Sequence, residues 1–441
     1  MKARKLLCIL LCLALLTGCS SRVTPATVAS TLPPADPVYE APHGTEGMAY
    51  TATVTLYLPS VDGSTLLAEY AEVELDRTQD CLSTVVEALL AHPGNSRVRS
   101  LGHGRALSLY GQDPVAVSGG ICTVDLASAA LQLEHEELYT VCLSIAATLG
   151  AFSDITHVNV LVCGQPVGLD IAGYLPVGAV SSQAGIELST LWDMMSARAT
   201  PLGQDASETP LSATATLYFP LADGTGIMPE ARNITFAGQT PDRLASGLLS
   251  ALSAGAQYLD GTSAMPDIAA LMIKDPVTSE QADGSRLITL HFTQDLEGRL
   301  RLYGIEPLCF TAAVVYTLTT FIPSVSAVCI VSGETMMTNL YSRTLGNMTF
   351  RNGDQKRSQY SSLLREQVTI YLAQDGLLRP VSRTVAAASA SDPSVLLSLL
   401  IEGPTVSEQA AGLEAVLPST LSSSDLLGIA VADDTLLLNL S

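Results

Sequence analysis

The sequence contains little charge and almost no lysine. Only 15% of its 441 residues are charged, and lysine occurs only at positions 2, 5, 274 and 356. The formal net charge is −21. Nucleic-acid binding needs clustered basic side chains that displace counterions, and docking on anionic lipid headgroups needs the same. We therefore expect no nucleic-acid partner and no electrostatic attachment to a membrane.

Catalytic motifs are also missing from the sequence. His135 and Glu136 open a partial HExxH motif, but Tyr139 stands where the second zinc-binding histidine would be. No GxSxG, SxxK or phosphate-loop motif occurs. Cys163 and His157 lie six residues apart on one predicted strand, which separates them by about 20 Å. We therefore predict no catalytic residue, no bound metal, no cofactor and no enzymatic activity.

Long apolar runs are absent after the N-terminus. Three basic residues within positions 2–5 precede an apolar run at 6–16, which is shorter than the ~20 residues that cross a bilayer. This arrangement is typical of a signal peptide. Leu16-Thr17-Gly18-Cys19 follows and resembles the lipobox of bacterial lipoproteins. That resemblance implies cleavage after residue 18 and a lipid on Cys19, which would anchor the chain to the extracytoplasmic face of the cell membrane.

Six further cysteines do not match a known ligand set. None belongs to a CxxC pair, and their spacing is not that of a zinc site. An exported protein can join such residues in disulfides, whereas isolated cysteines in helix-like or strand-like patterns are usually buried thiols. The sequence leaves both readings open for Cys81, Cys122, Cys142, Cys163, Cys309 and Cys329.

One pattern occurs three times after a Ser-, Thr- and Pro-rich tether. Each copy opens with a β-rich segment, at Val54–Pro59, Ala215–Pro220 and Val368–Leu372, and an Asp-Gly pair follows it. We interpret Asp62 and Asp223 as turn residues rather than calcium ligands, because no further acidic ligands follow them.

The rest of each copy combines strands and helices. A second strand is followed by a helix that begins at Thr240-Pro241 in copy 2 and at Asp392-Pro393 in copy 3. Two more strands come next, at Leu271–Val277 and Arg286–Phe292 in copy 2, and then a long helix at Leu302–Thr320 and a last strand. This order predicts an α+β fold of tandem small domains, each a mixed β-sheet with two helices on one face.

The repeats define the predicted domain boundaries. Copy 3 contains the elements up to the second pair of strands, so either the native protein carries half a domain or the sequence is part of a longer chain. Half a sheet leaves an open edge. We predict a signal peptide at 1–18, a tether at 19–50, copy 1 at 51–166, a linker at 167–212, copy 2 at 213–335, a linker at 336–366 and a partial copy 3 at 367–441.

Taken together, these features resemble the GerMN domain of sporulation and spore-germination lipoproteins. The resemblance is carried by the lipobox, the LYLP or LYFP strand with its DG turn, the Glu402-Gly403-Pro404 turn, the Val124-Asp125-Leu126 strand and the closing strand. Copies 1 and 2 depart from it, because Ala91-His92-Pro93 and Ala254-Gly255 replace the EGP turn. The resemblance implies a fold similar to ring-building motifs, no enzymatic activity, and assembly work between two membranes.

Two hypotheses of function follow. The first is a non-enzymatic scaffold or assembly factor in sporulation or germination, held at the cell membrane and enriched at the sporulation septum or forespore membrane. It would bind envelope or sporulation-complex proteins, or build a homo-oligomer or ring, through exposed sheet edges. The alternative is an envelope lipoprotein that binds a germinant or peptidoglycan fragment in a pocket, or hydrolyses it.

Overall fold

A computed structural model describes residues 50–75, 81–152, 154–166, 178–182, 188, 210–342, 346–432 and 435–441. Contacts divide the chain into two units, and all the described residues belong to Pro42–Ser441. The predicted signal peptide, Cys19 and most of the tether lie outside the described residues. No single described helix has the length and hydropathy of a membrane span. Only Leu296–Leu302 and Pro307–Phe321 together do, across a bend of 106°.

Copy 1 begins with a long hairpin of β1 (Tyr50–Pro59) and β2 (Leu66–Leu75), paired antiparallel throughout. Helix α1 (Cys81–Ala91) then buries valines and leucines at helical spacing, which is why this apolar segment forms an amphipathic helix. A second sheet follows, in which β4 pairs antiparallel with β3 and parallel with β5. Its elements are β3 (Val115–Ser118), β4 (Ile121–Leu126), α2 (His135–Leu149), β5 (His157–Val162), β6 (Gln165–Pro166) and β7 (Val180–Ser181).

Copy 2 repeats this order with a fuller set of elements. Its hairpin and first helix are β8 (Leu211–Pro220), β9 (Ile227–Phe236) and α3 (Pro241–Ser253). The sheet again has a parallel central pair, here β11 and β12. The remaining elements are α4 (Ile268–Leu271), β10 (Val277–Glu280), β11 (Arg286–Phe292), α5 (Leu296–Leu302), α6 (Pro307–Phe321), β12 (Val325–Ser332), β13 (Thr335–Met336), β14 (Asn339–Ser342), β15 (Gly346–Thr349) and β16 (Asp354–Gln355).

Copy 3 contains two hairpins and two helices. The elements are β17 (Arg365–Gln374), β18 (Leu377–Ala386), α7 (Pro393–Glu402), α8 (Val406–Ala410), β19 (Leu426–Ala432) and β20 (Thr435–Leu440). The aspartate that precedes α7, Asp392, accepts a hydrogen bond from the Ser394 amide at 2.8 Å, as its predicted N-cap role requires. β19 and β20 form a two-stranded sheet by themselves.

The predicted α+β class is confirmed, and three details differ. Residues Leu271–Val277 are not a strand, because α4 ends at Leu271 and β10 begins only at Val277. The long helix predicted at Leu302–Thr320 begins only at Pro307, because a sharp bend separates it from α5, which ends at Leu302. In each copy the long hairpin forms a sheet of its own, separate from the sheet that holds the later strands.

Equivalent hydrogen bonds join the second helix to the first strand in copies 1 and 2. The Tyr57 amide donates to Thr148 Oγ1 at 2.9 Å, and the Tyr218 amide donates to Thr317 Oγ1 at 3.0 Å. Both threonines lie in the last turn of their helix, in the segments that the repeat aligns. This shared contact fixes helix α2 or α6 across the long hairpin of its copy.

An arginine on the second strand of the hairpin stabilises the end of the first helix in copies 2 and 3. Arg232 donates to the carbonyl oxygen of Gly255 at 2.8 Å, and Arg383 donates to that of Gly403 at 3.3 Å. Helix carbonyls at this end carry partial negative charge and have no intrahelical partner, so a cation is favourable. A carboxylate neutralises each arginine: Glu230 in copy 2 and Glu408 in copy 3.

Candidate functional site

The electrostatics of Cys163 and His157 do not match those of a catalytic Cys–His pair. Cys163 lies in the turn just after β5, at φ +51°, while His157 begins that strand. Burial raises the pKa of Cys163, and burial lowers the pKa of His157. An activated thiolate needs the opposite shifts. No group of three or more His, Cys, Asp or Glu side chains in the described residues is placed to hold a metal ion.

Most of the six cysteines that follow Cys19 are buried in the core. Cys142, Cys163, Cys309 and Cys329 are free thiols. Burial raises the pKa of both Cys142 and Cys309 to about 12, so these thiols stay protonated at neutral pH. Cys122 is buried and Cys81 is half-buried. The structure therefore favours the buried-thiol reading for Cys142, Cys309 and Cys329, whereas Cys163 is half-buried. The anchor residue Cys19 lies outside the described part of the chain.

The most concentrated polar cluster of copy 1 surrounds Glu137. This buried carboxylate, in the first turn of α2, accepts hydrogen bonds from Arg99 Nη1 and from the Gly102 amide, each at 2.8 Å. The exposed imidazole of His103 contacts the same carboxylate oxygen as Arg99, with its Nε2 2.8 Å from Oε2. The three donors come from the loop that follows α1, so the cluster joins that loop to α2. These partners already satisfy the Glu137 carboxylate. The cluster therefore has a structural role.

An exposed apolar surface lies on copy 3. In copies 1 and 2 the inward side chains of β4 and β11 belong to the same buried clusters as helices α2 and α6. The described residues of copy 3 include no counterpart of that helix. We call the uncovered surface the open face; it consists of Tyr371 on β17, the apolar side chains of α7, and Leu436, Leu438 and Leu440 on β20.

Exposure of equivalent positions defines the open face. Val124 and Leu290, inward on β4 and β11, are 0% exposed, whereas Leu438 on β20 is 42% exposed. Tyr218 is 2% exposed and Tyr371, its equivalent, is 51% exposed. Helices α1 and α3 each have at least four buried side chains, whereas the apolar side chains of α7 are only half-buried despite its Val-Leu-Leu-Ser-Leu-Leu-Ile sequence.

Copy 3 is attached to the other two copies at its first strand. The Arg365 guanidinium donates to the Thr225 carbonyl oxygen of copy 2, at 3.0 Å from Nε. Ser118 of copy 1 donates its hydroxyl to the Arg365 carbonyl oxygen. One residue at the start of β17 therefore bonds to both neighbours, which holds the third hairpin at a defined place in the assembly.

The turn between β3 and β4 is shaped for this junction. Gly119 and Gly120 both have positive φ, and their amides point at the carboxylate of Glu366 in copy 3. A Cβ on Gly119 would lie 2.8 Å from the Pro229 carbonyl oxygen of copy 2, and one on Gly120 would lie 2.8 Å from that of Asp154. Burial raises the pKa of Glu366, while these amide hydrogen bonds oppose that shift. Only glycine allows the backbones of the copies to approach this closely.

Copies 1 and 2 also meet through a buried polar chain. Thr216 Oγ1 on β8 donates to Asn159 Oδ1 on β5 at 3.1 Å, and Asn159 Nδ2 lies 3.5 Å from Thr123 Oγ1 on β4. All three residues are buried. Because buried polar groups are costly unless paired, this chain fixes one relative orientation of the two copies.

Sequence reasoning missed these junction residues. The segment 336–366, predicted to be a linker, carries β14 to β16 and packs Phe350 and Tyr360 into the core of copy 2. Its pattern is too short and irregular to show helical or strand periodicity. The Gly119-Gly120 pair was the one available signal, since adjacent glycines mark a turn or a close backbone approach.

The fold and its contacts define a class: a tandem α+β protein whose domains join through dedicated side chains and whose third domain is uncovered. The family model described as "Germane: Sporulation and spore germination" matches residues 55–168. Copy 1 therefore matches this family model, which confirms for that copy the resemblance drawn from the sequence. No curated protein matches this chain.

Solved structures of Bacillus subtilis proteins are similar to this chain. The tandem GerMN domains of the sporulation protein GerM are 18% identical, with a TM-score of 0.26; the match covers 69% of this chain and 99% of that one. The first GerMN domain of the same protein is also 18% identical, with a TM-score of 0.23, covering 31% of this chain and 97% of that one.

Proposed function

We propose that this protein is a lipid-anchored scaffold that holds partner proteins on the extracytoplasmic face of the membrane during sporulation or germination. One observation carries the proposal: three related domains are joined by specific contacts, and one of them presents a large apolar surface. An enzyme would instead place its apolar surface in a cleft with convergent polar groups. The family match of copy 1 supplies the biological setting.

The anchor rests on the sequence. Leu16-Thr17-Gly18-Cys19 follows a short apolar run, and a diacylglycerol on Cys19 would hold the chain at the membrane. The Pro-rich segment that follows would then separate the three copies from the lipid surface.

The test is the position of the protein in sporulating host cells. A fluorescent protein fused to the C-terminus should concentrate at the sporulation septum, and Cys19→Ala should release it from the membrane fraction. Cys12→Ala is the matched control, because it also removes a cysteine but leaves the lipobox intact. An even distribution over the vegetative envelope would contradict the sporulation role, and membrane retention of the Cys19→Ala variant would contradict the anchor.

A second candidate function is small-ligand binding at a hollow on copy 2. The hollow has a volume of about 460 Å³ and lies between the end of β9 and the start of α3. Phe236 lies at its base within the core, and Asp242, Arg243 and Asp275 provide charge. Saturable heat on titrating muropeptides or germinants into the exported chain, lost in Arg243→Ala, would support this function.

A further inference from the structure

The two residues before Glu366 are tied to the other two copies. Leu364 forms a β-bridge with Ile227 at the start of β9 in copy 2. The carbonyl oxygen of Arg365 accepts a hydrogen bond from the Ser118 hydroxyl of copy 1. Because the backbone just before it is held on both sides, the Glu366 side chain has a fixed place at the contact between copies 1 and 3.

The Glu366 carboxyl has one satisfied and one unsatisfied oxygen. Its Oε1 accepts a hydrogen bond from the Gln367 amide at 3.0 Å, whereas its Oε2 is buried without a hydrogen-bond partner. The Gly119 and Gly120 amides face the carboxyl and favour its ionised form, but neither gives Oε2 a hydrogen bond of standard geometry. A buried charge that is incompletely paired is costly, so ionisation of Glu366 opposes this contact.

The charged groups around Glu366 add to that cost. Burial is the main cause of its raised pKa, and the negative charge of Asp154, in the loop before β5, raises the pKa further. The Arg365 guanidinium is directed instead to the Thr225 carbonyl oxygen of copy 2, with Nε at 3.0 Å. Within the described part of the chain, no arginine or lysine contributes to the pKa of Glu366. Its carboxylate therefore has amide dipoles near it but no compensating cation.

Other buried or half-buried carboxylates of the chain provide a contrast. Glu137, Glu230 and Glu408 each form an ion pair with an arginine. An arginine keeps a carboxylate ionised over the whole physiological pH range, because it favours the charged form. Glu366 lacks this partner, so its protonation state can change while the rest of the contact stays in place.

We propose that Glu366 makes the contact between copies 1 and 3 sensitive to pH. The β17–β18 hairpin of copy 3 is held firmly while the carboxyl carries a proton, and it loosens when the carboxyl ionises. Protonation removes both the buried charge and the repulsion from Asp154, and each of these acts only on the ionised form. The proposal goes beyond the scaffold function, because it concerns how copy 3 is held and not what copy 3 binds.

The pH dependence has a definite sign. The pKa of Glu366 in the docked form lies above the ordinary value of 4.5, so the docked form binds the proton more tightly than the undocked form. Its contribution to docking is therefore fully present below pH 4.5 and is lost as pH rises through the docked-state pKa. Glu408 has the opposite sign, since its pKa is lowered in the folded chain.

Hydrogen exchange of the β17 amides measures this docking. The exported chain bearing Cys19→Ala and its Glu366→Gln variant are labelled side by side between about pH 4 and about pH 8, and comparison at equal pH cancels the intrinsic exchange rate. Glutamine has the shape of the protonated carboxyl and cannot ionise. We expect equal exchange at the acid end, and at the alkaline end exchange of residues 365–370 at least about threefold faster in the parent than in the variant.

Asp154→Asn provides a second readout, because loss of its charge lowers the pKa of Glu366. At the alkaline end, β17 should exchange more slowly in this variant than in the parent. Asp283→Asn is the matched control, since it removes the same charge from copy 2 and Asp283 does not contribute to the pKa of Glu366. It should exchange as the parent does. If Glu366→Gln fails to fold by circular dichroism, the two aspartate variants decide the question.

Three outcomes would overturn the proposal. An exchange ratio between parent and Glu366→Gln that is the same at every pH would show that Glu366 does not titrate in this contact. Faster exchange of Glu366→Gln than of the parent at the alkaline end would make the ionised carboxylate the docked form. Equal exchange of Asp154→Asn and Asp283→Asn would remove the repulsion on which the sign depends. Failed septal localisation would contradict the scaffold function and leave this test unaffected.

Discussion

Copies 2 and 3 share a hairpin, a capped first helix and a pair of inner strands, yet only copy 2 has a closed core. The inward side chains Leu290 and Phe292 of β11 are buried, whereas Leu438 and Leu440 of β20 are nearly half exposed. The tyrosine at the equivalent position contacts the Tyr316 ring of α6 in copy 2 and is half exposed in copy 3. Sequence pattern thus creates the elements of a domain, but burial depends on a covering helix that the described part of copy 3 does not include.

The largest expected effect compares one substitution at two equivalent positions. Leu290→Ala should lower the free energy of unfolding by about 2–5 kcal/mol, because it leaves a cavity in a closed core. Leu438→Ala should cost about 1 kcal/mol, since less apolar surface is lost. Urea denaturation of the exported chain measures both. Equal losses would mean that β20 is already covered and would break the comparison between the copies.

The equivalent turns of copies 1 and 2 provide the next test. Gly119→Ala should destabilise the protein by about 1–3 kcal/mol more than Gly284→Ala, because a Cβ at 119 meets the Pro229 carbonyl. Gly284 also has positive φ but has no atom within 4 Å of the added Cβ, so it carries the backbone strain alone. Thermal unfolding of both variants gives the difference, and identical midpoints would argue against close packing of copies 1 and 2.

The helix-to-strand bond of copy 2 predicts a smaller change. Thr317→Val should cost about 1–3 kcal/mol, because the buried Tyr218 amide would lose its acceptor. Thr320→Val, one turn further along the same helix, should be neutral or stabilising, since its buried hydroxyl oxygen has no hydrogen-bond partner. Chemical denaturation compares the pair. A stability loss in Thr320→Val that matches Thr317→Val would show that volume, not the bond, is responsible.

The smallest effect concerns the arginine–carboxylate pair of copy 3. The Arg383 guanidinium hydrogen-bonds Glu408 and lowers the pKa of that carboxyl to about 2. A lowered folded-state pKa contributes stability that is present above the ordinary value near 4.5 and is lost as pH falls toward 2. The stability difference between the parent chain and Glu408→Gln should therefore shrink over that range. Urea denaturation of both chains over that pH range measures the difference, and a constant difference would contradict this role of the pair.

Much of each domain could be predicted from local sequence. Alternating apolar residues placed β17 and β18, and Asp392-Pro393 placed the start of α7, because these signals act over a few residues. The division at Pro307 was missed, since the apolar run continues across the bend and hides it. The division of each copy into two sheets was missed too, because strand pairing depends on contacts between distant segments.

The same distinction between local signals and distant contacts applies to the candidate site. The sequence showed that copy 3, as given, lacks the pattern of the second helix, and either half a domain or a longer chain would account for that. It did not indicate Arg365 or Glu366, whose contacts join segments more than a hundred residues apart. Nor did it indicate Tyr360, which lies in an irregular stretch. Such contacts depend on where complete domains meet, and no local periodicity records that.

By itself the sequence determined the repeat, the α+β class, the order of strands and helices, and the acidic, lysine-poor surface. These properties follow from residue spacing and composition, which act locally. Tertiary structure decided which apolar side chains are covered, how Gly119 and Glu366 bring the copies together, and that Leu436, Leu438 and Leu440 remain exposed. Burial is a property of what packs against a side chain, so identical patterns produced a closed core in one copy and an open face in another.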